Sequence, residues 1–144
     1  MVKNIDHVTI VVDDVEKDKK LFMLLGFKEG TSVIISGDKF SKFLRVNSIE
    51  AKHVTLFIEG SNPRQEIQLL QYINPDPLAD PAIEKLNKFG YNHLCLAVDD
   101  IEAEVTRLKK YGVHFKNNIM EFNDKKLVFF SGPGGITLEL AEYL

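Results

Sequence analysis

Tyr91-Asn92-His93-Leu94-Cys95-Leu96-Ala97-Val98-Asp99-Asp100 decides how this chain is read. A mostly apolar run carrying one histidine ends in two aspartates, and a helix-like stretch follows. Ile5-Asp6-His7-Val8-Thr9-Ile10-Val11-Val12-Asp13-Asp14 has the same form. His7 maps onto His93 at an offset of 93 − 7 = 86, and Asp13, Asp14 and the helix-ending Gly26 map onto Asp99, Asp100 and Gly112 at the same offset. Shared landmarks at one spacing mark an internal duplication. The ends of the halves match too. Val54 to Tyr72 aligns without gaps on Lys125 to Tyr143, pairing Gln68 with Glu139 at an offset of 139 − 68 = 71. The difference, 86 − 71 = 15, places about fifteen extra residues in the first half, within the 30–53 region.

Each half reads as strand, helix, then three strands. In the first, a buried strand over 5–12 leads to a helix capped by Asp13 or Asp14. Val33-Ile34-Ile35 and Phe43-Leu44-Arg45-Val46 read as strands with a turn at Gly37-Asp38, followed by strands over 54–58 and 66–72. Asn74-Pro75-Asp76-Pro77 is a stiff connector. The organisation is therefore a first module over 1–74, a linker over 75–90 with a short helix at Ile83, Leu86 and Phe89, and a second module over 91–144. The second module has a strand over 92–98, a helix capped by Asp99 or Asp100, and strands around 114–121, 126–130 and 136–142.

The balance of 18 basic and 21 acidic residues shows no basic stripe, against a nucleic-acid partner. No apolar run is long enough to span a bilayer, and no signal peptide is visible, so a cytoplasmic protein is expected. Cys95 is the only cysteine, which excludes an internal disulfide; small core filler is its expected role. Gly132-Pro133-Gly134-Gly135 lacks the lysine and following helix of a phosphate loop and reads as a tight turn. His53 and His114 have no partner in the duplication and receive no role.

Alternation along a strand gives His7 a face with Thr9, His93 a face with Cys95 and Ala97, and Glu139 a face with Thr137 and Ala141. Leucine, isoleucine and valine occupy the opposite faces. Two imidazoles, one carboxylate and one amide oxygen converging from four strands make a mixed nitrogen and oxygen metal site at His7, Gln68, His93 and Glu139. Zn, Ni, Co, Mn or Fe(II) suits such donors. The Asp13-Asp14 and Asp99-Asp100 pairs are explained as helix caps.

The two repeat stretches, Glu66-Ile67-Gln68-Leu69-Leu70, and Phe129 through Leu140 together resemble the glyoxalase / bleomycin-resistance / extradiol-dioxygenase (vicinal oxygen chelate) superfamily. The resemblance implies an α+β fold in which two βαβββ modules form a cupped mixed sheet around a metal, often in a homodimer. It also implies His7, Gln68, His93 and Glu139 as the ligand positions. Glutamine at 68, where many glyoxalase I enzymes look to have glutamate, resembles the methylmalonyl-CoA epimerase pattern. Glu139 is then the expected proton acceptor, with Glu66 second.

The function expected is a metal-dependent lyase or isomerase that polarises vicinal oxygens of a small substrate and stabilises an enolate or enediolate. An extradiol oxygenase using Fe(II) at His7, His93 and Glu139 is the alternative. A metal-free small-molecule binder is the third reading, and the intact ligand set counts against it.

Overall fold

In a computed structural model, which describes all 144 residues, the β-branched run Val8-Thr9-Ile10-Val11 holds β1 (His7–Val11) extended. The chain then crosses over through α1 (Val15–Leu24), β2 (Lys28–Ser36), α2 (Asp38–Leu44) and β3 (Glu50–Phe57), and returns in β4 (Glu66–Asn74) parallel to β1. The sheet order is β1-β4-β3-β2. The second half repeats the plan with β5 (His93–Ala97), α3 (Ile101–Lys110), β6 (Met120–Phe122), β7 (Lys125–Ser131) and β8 (Thr137–Tyr143). Its sheet order is β5-β8-β7-β6, again with the first and last strands parallel. Residues Met1–Ala79 and Asp80–Leu144 form separate compact units.

In each unit one sheet face is greasy and packs on the helix. Val54, Leu56, Ile67 and Leu69 are buried with Val15 and Phe22 of α1 in the first. Phe130, Leu138 and Leu140 are buried with Ile101, Val105 and Leu108 of α3 in the second. Register then fixes what the other, open face carries. His7 lies opposite Glu66 and Thr9 opposite Gln68; His93 lies opposite Thr137 and Cys95 opposite Glu139. Cross-strand partners share a face, so the polar residues of each unit collect on the open side.

The extra residues of the first half lie where the repeat offsets locate them, although their structure differs from expectation. No strand forms at 43–46: Phe43 and Leu44 close helix α2 instead, because Phe40, Phe43 and Leu44 are spaced three and four apart rather than in alternation. Arg45 ends the helix in the left-handed region, and Ile49 continues into a small cluster with Ile35, Ala51 and Leu70 on the open face, at the end away from His7. The expected linker helix at 83–89 is a pair of hydrogen-bonded turns: Ile83 N donates to Asp80 O and Lys85 N to Ala82 O. The segment has no buried apolar stripe to hold a longer helix. The strand expected at 114–121 contracts to β6 and one bridge, Phe115 to Phe130. Gly132 begins a single 3₁₀ turn, Pro133–Gly135, and a Cβ there would fall 2.8 Å from Leu138 Cγ, so the close approach to β8 requires glycine.

Asp14 caps α1 by accepting from the amides of Glu16 and Lys17, and Asp100 caps α3 by accepting from that of Ala103. A second capping device also repeats. Gln71 Oε1 accepts from Val15 N at 2.9 Å, and Glu142 Oε2 accepts from Ile101 N at 2.8 Å. The last strand of each unit thus ties down the first free amide of its own helix. Gln71→Ala and Glu142→Ala should each cost about 1 kcal/mol by urea unfolding; unchanged midpoints for both would show that these bonds add nothing.

Candidate functional site

The open face of the first unit carries a hydrogen-bonded chain centred on Gln68. Gln68 Nε2 donates to Glu66 Oε1 at 2.9 Å, which fixes the amide's orientation. Its Oε1 accordingly faces His53 Nε2 at 3.0 Å and accepts more weakly from Thr9 Oγ1 at 3.4 Å. Since a carbonyl oxygen only accepts, His53 Nε2 carries the hydrogen. Glu66 is held on its other side by Arg64 Nε at 2.8 Å, and the Arg64 guanidinium lies 4.0 Å from the Phe57 ring centre. The Gln68 hydrogen bond first, and then Arg64, hold the Glu66 carboxyl below the usual carboxylate range. His7, on the neighbouring edge strand, has Nδ1 2.6 Å from Asp6 Oδ2.

In the second unit, His93 Nε2 lies 2.9 Å from Glu139 Oε2, while Nδ1 of the same ring lies 2.7 Å from Asn92 Oδ1. The asparagine oxygen is an acceptor, so Nδ1 bears the ring hydrogen. With Nδ1 committed to Asn92, Nε2 is the ring atom that faces the carboxylate, where the two share a proton or hold a cation. Asp6 before His7 and Asn92 before His93 play the same part, each engaging Nδ1 and leaving Nε2 for a ligand, as orienting partners of metal-binding histidines do. The donors each unit offers, an imidazole nitrogen with an amide oxygen in the first and with a carboxylate oxygen in the second, are of the types a borderline divalent cation takes.

Phe129 packs on the His93 ring with centroids 5.1 Å apart, and Glu139 is buried. Cys95, expected as core filler, is an exposed residue on the open face, because alternation puts it beside Glu139 rather than with Leu94 and Leu96. Loss of water around the sulfur, with the Glu139 carboxylate adding to it, pushes the thiol up to about 11.

His53 is not legible in the sequence as a site residue. It has no counterpart in the other half, and only the β3–β4 register reveals its contact with Gln68. A separate group of acids, Asp100, Glu102 and Glu142, brings carboxylate oxygens within 4.8 Å of one another. All three are already engaged: Asp100 caps Ala103 N, Glu142 takes Ile101 N, and Glu102 pairs with Lys126 at 2.7 Å.

A sequence profile described as the glyoxalase/bleomycin resistance protein/dioxygenase superfamily matches residues 6–141. The chain belongs to that superfamily. Among curated relatives, glyoxalase I of Saccharomyces cerevisiae is 34% identical over 70 residues, 49% of this chain and 21% of that protein. Lactoylglutathione lyase of Schizosaccharomyces pombe is 26% identical over 141 residues, 94% of this chain and 46% of that protein. The chain thus spans less than half the length of either relative. A glyoxalase family protein from Bacillus cereus superposes with a TM-score of 0.90 at 23% identity, covering 100% of this chain and 96% of that one. The genomically encoded fosfomycin resistance protein FosX of Listeria monocytogenes, complexed with Mn(II) and sulfate, superposes with a TM-score of 0.64 at 20% identity, covering 100% and 95%. These likenesses establish the α+β, glyoxalase-like fold. No helix of the chain is long and apolar enough to cross a membrane.

With its thiol pushed up to about 11, Cys95 should alkylate slowly with iodoacetamide at about pH 8. Glu139→Gln removes a charge that opposes the thiolate, so labelling should speed up several-fold and its pH profile should move to lower pH. An unmoved profile would separate Cys95 from Glu139.

Proposed function

We propose that His7, Gln68, His93 and Glu139 ligate one divalent cation, Zn, Ni, Co, Mn or Fe(II), and that the protein is a lyase or isomerase acting on a small molecule with adjacent oxygens. Members of the superfamily are often metal-dependent enzymes and commonly bind a divalent metal. The observation that carries the proposal is His93 Nε2 held 2.9 Å from the Glu139 carboxylate while Asn92 Oδ1 engages Nδ1 of the same ring. The matching commitment of His7 Nδ1 to Asp6 supports it. Gln68 favours this reading over the iron oxygenase, since an oxygenase triad of His7, His93 and Glu139 leaves no task for an amide that Glu66 and His53 hold so definitely.

A bound divalent ion supplies Lewis-acid polarisation of substrate oxygens. The chain's own residues do the rest. Glu139 Oε2 accepts the proton lost from the carbon beside the substrate carbonyl; in an isomerisation it returns that proton to the neighbouring carbon, and in an epimerisation a second acid delivers a proton to the opposite face of the same carbon. Phe129 and the buried setting of Glu139 keep water from that carboxylate. Glu66 is the second candidate acceptor, but its bonds to Gln68 and Arg64 hold its carboxyl low and make it the weaker base. His53 and Glu66 orient Gln68 between them. Isomerisation of a thiol hemithioacetal, as the glyoxalase I and lactoylglutathione lyase relatives suggest, and epimerisation of an acyl-CoA both meet these requirements. A homodimer belongs to the same proposal.

Removing divalent ions with a chelator should abolish turnover of these two substrate types, and re-addition should restore it. Glu139→Gln should lower kcat at least about a hundredfold; near-normal turnover would refute the role given to Glu139. His53→Ala should weaken Zn(II) binding by about tenfold in equilibrium dialysis, and unchanged affinity would make its bond to Gln68 incidental.

A further inference from the structure

Glu66 and Gln68 share the open face of β4, and Thr137 and Glu139 share that of β8. The register makes these the same two positions. Glu66 lies opposite His7 as Thr137 lies opposite His93, and Gln68 and Glu139 each follow two residues later. Each unit therefore carries one acid and one uncharged residue there, in opposite order. In the second unit the acid is the proposed ligand. In the first it is the ligand's neighbour.

That neighbour is firmly held. The Glu66 side chain is only 17% exposed, and both of its oxygens are taken. Oε1 accepts from Gln68 Nε2 at 2.9 Å, and Oε2 accepts from Arg64 Nε at 2.8 Å. Arg64 is itself seated. Its guanidinium lies 4.0 Å from the ring centre of Phe57, the residue opposite Glu66 in the β3–β4 ladder. Its Nη2 reaches Gly30, in the irregular stretch of β2, where a Cβ would fall 3.3 Å from that nitrogen and 2.5 Å from Thr55 Oγ1. Glycine at 30 thus leaves the arginine its room.

The arrangement discriminates between residue types at position 68. An amide gives Glu66 a hydrogen, and a carboxylate has none to give. With glutamate at 68, two carboxylates would meet where Gln68 and Glu66 now bond, and each would oppose ionisation of the other. Arg64 bonds the other oxygen of Glu66 and does not separate them. Thr137 has no charge of its own, so the second unit accepts a carboxylate at 139. We propose that the Arg64–Glu66 pair is a charge filter, which keeps the donor at 68 a neutral amide with Oε1 turned away from Glu66. Glu139 is then the only carboxylate among the four proposed donors. Arg64 and Glu66 are positioning residues in this role. The inference rests on the function proposed above and refines it: a divalent ion held by these donors keeps one positive charge, which suits a substrate that becomes singly anionic during the reaction.

The test is a double-mutant cycle on the full chain, without metal and again with Zn(II). Without metal, Gln68→Glu should lower the urea midpoint by about 0.5 M. Adding Glu66→Gln to it should restore most of the loss, because the pair regains its hydrogen with donor and acceptor exchanged. In ¹⁵N spectra the side-chain amide of Gln68 should move to the free-glutamine range in Glu66→Ala, part of the way in Arg64→Ala, and little in Arg64→Lys. With Zn(II), the protein carrying both Gln68→Glu and Glu66→Gln should bind at least about tenfold more tightly than Gln68→Glu alone. A Gln68→Glu protein as stable as wild type, no recovery in the double variant, or a Gln68 amide indifferent to Glu66→Ala would each overturn the proposal. The amide signal decides the matter if Gln68→Glu fails to fold, since it needs no glutamate at 68. Absence of Zn(II) binding in every protein, with the urea cycle and amide shifts as expected, would count against the function proposed above and not against the filter. Zn(II) binding with no coupling between positions 66 and 68 would sink the filter alone.

Discussion

The residue before each site histidine fixes one ring nitrogen and frees the other. Asp6 engages Nδ1 of His7, and Asn92 engages Nδ1 of His93. Nδ1 of each ring is thereby committed, and Nε2 is the nitrogen left for a ligand on the open face. The proposed metal site depends on that arrangement. With the rings turned the other way, Nδ1 would have to meet the oxygen donors and the neighbouring side chains would no longer orient them.

The duplication extends from the proposed ligands to the parts that hold them. Each unit sets its histidine on an edge strand parallel to the strand carrying its oxygen donor, Gln68 or Glu139. Each secures its crossover helix with an aspartate cap and a side chain from the last strand, Gln71 or Glu142. The halves have diverged around their oxygen donors. Gln68 is held by His53, Glu66 and Thr9, whereas Glu139 sits among Cys95, Phe129 and His93. A neutral amide can be locked by hydrogen bonds without altering its charge.

Most of the architecture is legible in the sequence because the repeat supplies its own alignment. Helix caps, the strand–helix–strand plan of each half and the open-face parity of His7, Gln68, His93 and Glu139 all follow from period-2 alternation and two offsets. Residues 38–44 mislead because Phe40, Phe43 and Leu44 could serve a short strand or a short helix, and none of them is buried enough to impose a pattern. The turns at 80–85 mislead for the same reason. His53 escapes notice because it is defined by a cross-strand neighbour, Gln68, and pairing register is not visible in a single segment. Cys95 is misplaced because small size suggests the core while strand parity puts it beside Glu139.

The direct test is long-range ¹H–¹⁵N NMR of the imidazole rings during Zn(II) titration. At neutral pH and without metal, both His7 and His93 should show a protonated Nδ1. On addition of Zn(II), Nε2 of each ring should shift to the metal-bound range while Nδ1–H is retained, saturating at one ion per chain. Nitrogen shifts unchanged by Zn(II), or a response at Nδ1 instead, would contradict the account.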